Sequence, residues 1–242
     1  MLVFLFLLII AILFGITYQQ RRRPLKQWRK ALLLDKHFAI YQKLYADVDG
    51  FALSRRARIS QDALEYVYGE IEFESFIALL SLCKPNASTI FYDLGSGTGK
   101  AVIACTLVFN VQHCRGIEIL TTLYECAKDT QLRLKQIPAY QEKASRIQFI
   151  LGNFLDKNLN EASLVFINAT AFFGEHWLAV SRHLEQLNPG ALVISTSKAL
   201  QSAEFITTKV TLVRMSWGLV KAFIQQRQPK SINHPIQLTY PP

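Results

Sequence analysis

The stretch Asp93-Leu94-Gly95-Ser96-Gly97-Thr98-Gly99 decides how this chain folds. It closes the apolar run Thr89–Leu94, which reads as a buried strand, and it opens the apolar helical stretch Gly99–Phe109. Glycines at alternate positions let the backbone turn sharply and approach a ligand, at φ values that other residues resist. Outward from this loop the same alternation continues. Arg115–Ile119, Ile147–Leu151, Ser163–Asn168 and Ala191–Ser195 read as strands, and Leu120–Ile137 and Gly174–Leu187 as helices. Continuously apolar strands alternating with helices predict an α/β fold, a mostly parallel sheet covered on both faces. Val210–Trp217, then Gly218, then Leu219–Arg227 predict an antiparallel hairpin at the end of that sheet.

In such a sheet a ligand sits at the carboxyl ends of the strands, where the strand order reverses. The loop Asp93–Gly99 lies there, and Glu118 ends the next strand about 20 residues on, where a carboxylate suits ribose hydroxyls. A phosphate-binding P-loop is excluded twice. Leu94 stands where its first glycine belongs, and Ala101 replaces the magnesium-binding hydroxyl after Gly99-Lys100. The dinucleotide fingerprint GxGxxG is not met either, because these glycines fall as GxGxG behind Asp93. A carboxylate there would repel a pyrophosphate but suits a ligand with a cationic amino-acid moiety. S-adenosylmethionine carries that moiety and a ribose.

The loop with Glu118 resembles motif I and the following acidic motif of class I methyltransferases. More closely, the chain resembles the disruptor-of-telomeric-silencing family of histone-lysine methyltransferases, the kind without a SET domain. Tyr66-Val67-Tyr68-Gly69-Glu70 resembles the family's loop that closes over the cofactor, and Gly152-Asn153-Phe154-Leu155 its adenine-contacting segment. Phe166-Ile167-Asn168-Ala169-Thr170-Ala171-Phe172 resembles the strand end beside its methyl-transfer channel. Val193–Lys198 and Ser216-Trp217-Gly218 resemble its IVSSK strand and the SW that precedes its closing hairpin. The match runs from about Ala63 to Arg227 in the family's order. The departures are Asn153 for an Asp, Ala169 and Thr170 for Asn and Phe, Ile71 for a Thr, and Lys100 for a Gln. They bear on the methyl acceptor more than on the cofactor.

The resemblance implies a Rossmann-like class I methyltransferase that uses S-adenosyl-L-methionine and methylates a protein lysine. Tyr68, Gly69, Glu70, Asp93, Gly95, Ser96, Gly97, Gly99, Lys100, Glu118, Asn153 and Phe154 are the expected cofactor residues. Asn168, Tyr68, Phe172 and Trp217 are the expected channel and orienting residues. A small-molecule or lipid methyltransferase on the same fold, and a non-catalytic tethered adaptor, are the alternatives. The sulfonium already activates its methyl group, so displacement by an amine needs alignment and an unprotonated lysine, with no covalent enzyme intermediate. An apolar aromatic channel supplies the second by disfavouring the ammonium form.

Charge and hydropathy divide the rest. The chain has 242 residues, 50% of them hydrophobic, which excludes a disordered protein. Its net charge is +9, and the eleven basic and three acidic residues between Gln19 and Ser60 account for nearly all of it. Met1–Tyr18 carries no charge and is followed by Arg21-Arg22-Arg23. Eighteen apolar residues span roughly 27 Å, so the sequence predicts a single-pass membrane anchor, with the catalytic domain on the cytoplasmic side by the positive-inside rule. The expected order is an anchor over 1–18, a basic juxtamembrane segment over 19–60, the methyltransferase domain over 61–227 and an extended tail over 228–242. Within the basic segment, Pro24–Ala46 reads as a helix and Asp47–Ser60 as a linker or loop. The expected partners are a protein substrate with an accessible, membrane-proximal lysine and the lipid membrane itself, and nucleic acid ranks below both. Cys83, Cys105, Cys114 and Cys126 form no CxxC pair, and the five histidines show no ligand spacing, so no metal site is expected.

Overall fold

The computed structural model describes residues 23–59 and 68–229. The chain forms two compact units, 1–46 and 47–242. In the first, residues 23–31 are helical, and helix α1 spans Leu34–Leu44. The continuous helix expected over Pro24–Ala46 is interrupted because Leu33 takes a left-handed conformation, φ 50°, which ends one helical run and starts the next.

The second unit opens with helix α2, Gly50–Ala57, where a loop was expected. Asp49 starts it by accepting the Ala52 N–H at 2.9 Å, an N-cap that satisfies one orphaned donor of the first turn. Helix α3, Phe73–Cys83, follows; then β1 (Ile90–Leu94), α4 (Lys100–Val108), β2 (His113–Glu118) and α5 (Thr121–Lys135). A short α6 (Gln141–Ser145) leads to β3 (Ile147–Leu151), β4 (Leu164–Ile167), α7 (Gly174–His183), β5 (Leu192–Thr196), β6 (Phe205–Met215) and β7 (Gly218–Arg227).

The seven strands form one sheet in the order β3-β2-β1-β4-β5-β7-β6. The first five are parallel, and β7 runs antiparallel to both β5 and β6. This is the Rossmann-like methyltransferase sheet with its terminal hairpin, and the strand order reverses between β1 and β4. Strand periodicity sends alternate side chains to opposite faces. Phe91 and Phe166 meet Phe76 of α3 edge-on, at ring separations of 6.2 and 5.1 Å. Their neighbours Tyr92, Leu94, Val165 and Ile167 join Trp177, Val180 and Leu184 of the α7 region in a core cluster. Each such large side chain contributes about 1.5–3 kcal/mol on burial.

The transmembrane helix expected over Met1–Tyr18 requires correction. Among the described residues no helix is long and apolar enough to cross a membrane. The longest, α5, has 15 residues and carries Glu125, Lys128, Asp129, Arg133 and Lys135. It spans about 22 Å against a hydrocarbon core of about 30 Å. Residues 1–18, on which the anchor was read, lie outside the described residues. The membrane location, the cytoplasmic placement and the lipid partner rested on that anchor, and no helix among the described residues supports them. The expected tail beyond Pro229 also lies outside the described residues.

Candidate functional site

The switch point between β1 and β4 holds a cavity of about 260 Å³. The glycine loop forms its floor. The N–H groups of Gly95 and Ser96 both donate to the Ile117 carbonyl, at 2.9 and 3.0 Å, which ties the loop to β2. Glu118, at the end of β2, accepts the Gly97 N–H at 2.7 Å and the Leu120 N–H at 2.9 Å, one on each carboxylate oxygen. Backbone donors thus aim a buried carboxylate at the cavity, with lone-pair capacity left for a ligand.

Burial raises the pKa of Glu118, while its backbone hydrogen bonds oppose the shift. Asp93, at the end of β1, is fully buried. Desolvation first, and the Glu118 charge second, push its pKa to about 8. Ser96 also lines the cavity, and its buried Oγ has no hydrogen-bond partner among the described residues.

The segment 68–72 covers this floor. Tyr68 donates to Glu70 Oε1 at 2.7 Å and receives the Thr98 hydroxyl at 2.9 Å. Lys100, the first residue of α4, donates to Glu70 Oε2 at 2.6 Å. The tip of the β6–β7 hairpin holds the segment from outside. Ser216 N–H donates to the Glu70 carbonyl at 2.8 Å, Glu72 N–H donates to the Arg214 carbonyl at 3.0 Å, and Ile71 forms a β-bridge with Met215. Gly97 has φ 54° and lies under Tyr68. A Cβ there would meet Tyr68 Cε2 at 2.6 Å, so both conformation and space call for glycine.

Beyond β4 the cavity wall is made by Asn168, Ala171 and Phe172. Phe172 packs edge-on against Phe154 at 5.9 Å and tilts against Trp177 at 6.4 Å. Its carbonyl accepts from the Lys198 ammonium, which also lies 4.0 Å from the centre of the exposed Phe173 ring. Desolvation lowers the pKa of Lys198. On the β2–β3 side, Ile119, Leu120, Leu123, Phe154 and Leu155 form an apolar slot, with Asn153 beside it. Asn153 accepts the Leu155 N–H at 3.0 Å, which fixes its side chain.

Of the residues expected from the sequence, Tyr68, Gly69, Glu70, Asp93, Gly95, Ser96, Gly97, Lys100, Glu118, Asn153, Phe154, Asn168 and Phe172 all line the cavity. Gly99 and Trp217 do not. Gly99 caps α4 from behind, against Phe149 and Ala127, and Trp217 packs on the outer side of Gly69. Ile119, Leu120 and Leu123 of the apolar slot, with Met215 and His176, were not anticipated. Among the described residues no group of three or more His, Cys, Asp or Glu is placed to hold a metal ion.

A doubly covered sheet with an antiparallel last strand, and a glycine-loop cavity at its switch point, define a class I methyltransferase. The chain belongs to the family described as histone methylation protein DOT1, whose model matches residues 58–218. It is 27% identical over 150 residues to the H3 lysine-79 specific histone-lysine N-methyltransferase of Candida glabrata, covering 59% of this chain and 23% of that protein. It is 28% identical over 120 residues to a protein-lysine N-methyltransferase of Saccharolobus islandicus, covering 48% of this chain and 67% of that protein. The chain spans a quarter or less of the length of the histone-directed relatives it matches. Among solved structures, an RNA methyltransferase from Salinibacter ruber in complex with S-adenosyl-L-homocysteine is 19% identical with a TM-score of 0.50. That match covers 66% of this chain and 96% of the other, and it concerns the fold.

Proposed function

We propose that this chain binds S-adenosylmethionine in the switch-point cavity and transfers its methyl group to a lysine side chain of a protein. The observation that carries this is the pair of buried carboxylates, Asp93 and Glu118, at the ends of adjacent strands. Burying two such groups is costly unless a polar or cationic ligand compensates them. Family membership, and relatives named for protein-lysine methylation, support the acceptor class. The catalytic unit is assigned to residues 61–227.

The residues present fit the cofactor. Glu118 has lone-pair capacity for the ribose hydroxyls, Asp93 complements a cationic amino group, and the buried Ser96 hydroxyl offers a further contact. The slot of Ile119, Leu120, Leu123 and Phe154 suits an adenine ring, and the second lone pair of Asn153 Oδ1 suits its amino group. When bound, the cofactor supplies a methyl group already activated by its sulfonium.

The chain's own residues then do three things. Tyr68, Glu70 and Lys100 hold the covering segment shut, which excludes water from the floor. Phe172 and Phe154 make an apolar wall in which an incoming lysine, with an ordinary pKa near 10.4, is favoured as the neutral amine. Asn168, at the β4 end, fixes the acceptor side of the cavity relative to its cover. Alignment of this kind lowers a transfer barrier by up to several kcal/mol.

The test uses the full chain with methyl-labelled S-adenosylmethionine and cell extract, with Asp93→Ala alongside. Label recovered as methyl-lysine in protein, and absent with Asp93→Ala, is the expected result. Label found only in small molecules or lipid would overturn the acceptor class. Failure to bind the cofactor at all would overturn the reading entirely.

A further inference from the structure

The Asn168 side chain is held by more contacts than a cavity-wall residue needs, and their chemistry fixes which way its amide faces. Its Nδ2 donates to the Gly69 carbonyl at 3.3 Å. Its Oδ1 lies 2.7 Å from the Thr196 hydroxyl and 3.0 Å from the Thr170 hydroxyl. A carbonyl only accepts, so the amide nitrogen must face Gly69, and both hydroxyls must donate to Oδ1. Thr170 spends its one proton in this way, so the Ser197 hydroxyl, 2.7 Å away, donates to Thr170. The chain of donors therefore runs in one direction, from Ser197 through Thr170 and Asn168 to Gly69.

Its far end is rigid. Thr196 is the last residue of β5 and fully buried. Ser197 sits at φ 67°, a strained position for a residue with a side chain, held by its N–H to the Lys221 carbonyl at 2.7 Å. Its near end is the segment 68–72 that covers the cavity. Thr170 stands where the family resemblance has an apolar ring, so this relay belongs to this chain's own sequence.

We propose that Thr170 and Thr196 are positioning residues, orienting the Asn168 amide so that it holds Gly69 and keeps the covering segment closed. The proposal rests on the cavity being the cofactor site. Removing a hydroxyl leaves Oδ1 underpartnered and lets the amide rotate. Turned round, its oxygen would oppose the Gly69 carbonyl and release the cover. The consequence is kinetic: the cofactor product leaves faster.

The experiment measures the dissociation rate of S-adenosylhomocysteine from the full chain by stopped flow, for wild type, Thr196→Val, Thr196→Ser and Thr170→Val. We expect about a tenfold faster release for both valine variants and near wild-type release for Thr196→Ser. Thr196→Ser removes a buried methyl group, so it lowers thermal stability while restoring release, a separation that a merely structural role would not produce. Unchanged release in Thr196→Val, with wild type binding normally, would overturn the relay and leave the proposed function intact. Faster release in Thr196→Ser equal to that of valine would also overturn it. Absence of binding to wild type would overturn the reading of the cavity, and the relay with it.

Discussion

The indole of Trp217 occupies the space in which a Cβ on Gly69 would sit, its Cζ3 lying 2.0 Å from that position. Trp217 is half-exposed at the hairpin tip, and Gly69 belongs to the covering segment. The two residues are far apart in sequence, yet the close approach of one decides the identity of the other. Gly69→Ala must displace the ring or the segment. Overpacking of this kind costs about 1–3 kcal/mol, which corresponds to a loss of cofactor affinity of about 5- to 150-fold where the whole cost falls on closing the segment. Trp217→Ala in the same chain relieves the collision, so the double variant should bind more tightly than Gly69→Ala alone. Calorimetric titration with S-adenosylhomocysteine measures all three. Additive losses would show that the contact carries no energy.

Asp93 makes the site sensitive to pH. Its folded pKa is raised, to about 8, so between about 4 and 8 the folded state keeps a proton that the unfolded state has lost. Stability of the free protein therefore falls as pH rises through that window, by at most about 1.4 kcal/mol per pH unit. A cationic ligand beside Asp93 favours the carboxylate, so binding releases a proton and affinity strengthens from pH 6 towards 8. Titrations in buffers of different ionisation enthalpy read the proton directly. In Asp93→Asn the proton release should vanish and the free protein should lose this pH dependence.

The parts of this fold that were legible in the sequence are those whose chemistry is confined to a few consecutive residues. Asp93–Gly97 and Glu118 carry their meaning locally, and the five parallel strands carry theirs in short apolar runs. Ile119, Leu120 and Leu123 line the cavity with the same apolar pattern that any core helix shows, so nothing local marks them. The bridge between Ile71 and Met215 joins residues that only the hairpin brings together. Gly99 reads as part of the loop but faces Phe149, because the turn into α4 carries it behind the cavity. Helix α2 was missed although Asp49 caps its first turn.

Glu70 and Lys100 form a pair whose side chains are only about one-fifth exposed, so screening by water is limited. Glu70→Gln keeps an acceptor for Tyr68 and removes the charge that faces Lys100. The expected cost is about 1–2 kcal/mol, seen as a lower urea midpoint with an unchanged slope. Lys100→Met should cost a similar amount, and the double variant less than the sum of the two, giving a coupling near 1 kcal/mol. A coupling of zero would remove this pair from the account of how the segment stays closed.

Lys198 bears on the proposed acceptor side of the site and not on the proposed cofactor side. Its ammonium bonds the Phe172 carbonyl and rests on the Phe173 ring, and it does not line the cavity itself. Lys198→Met keeps most of the side-chain volume and removes both polar interactions, so the Phe172–Phe173 backbone loses its tether while Glu118, Asp93 and the apolar slot are untouched. Methyl transfer to protein should then fall about tenfold in kcat/KM, whereas S-adenosylhomocysteine affinity should stay within about twofold. Arginine is no substitute, because its planar fork cannot place a single donor on the carbonyl and a cation on the ring in the same way. Labelled-methyl assays paired with calorimetry separate the two effects. Equal losses in both would mean that Lys198 supports the whole cavity, and no loss in either would mean that Phe172 is held by its aromatic neighbours Phe154 and Trp177 alone.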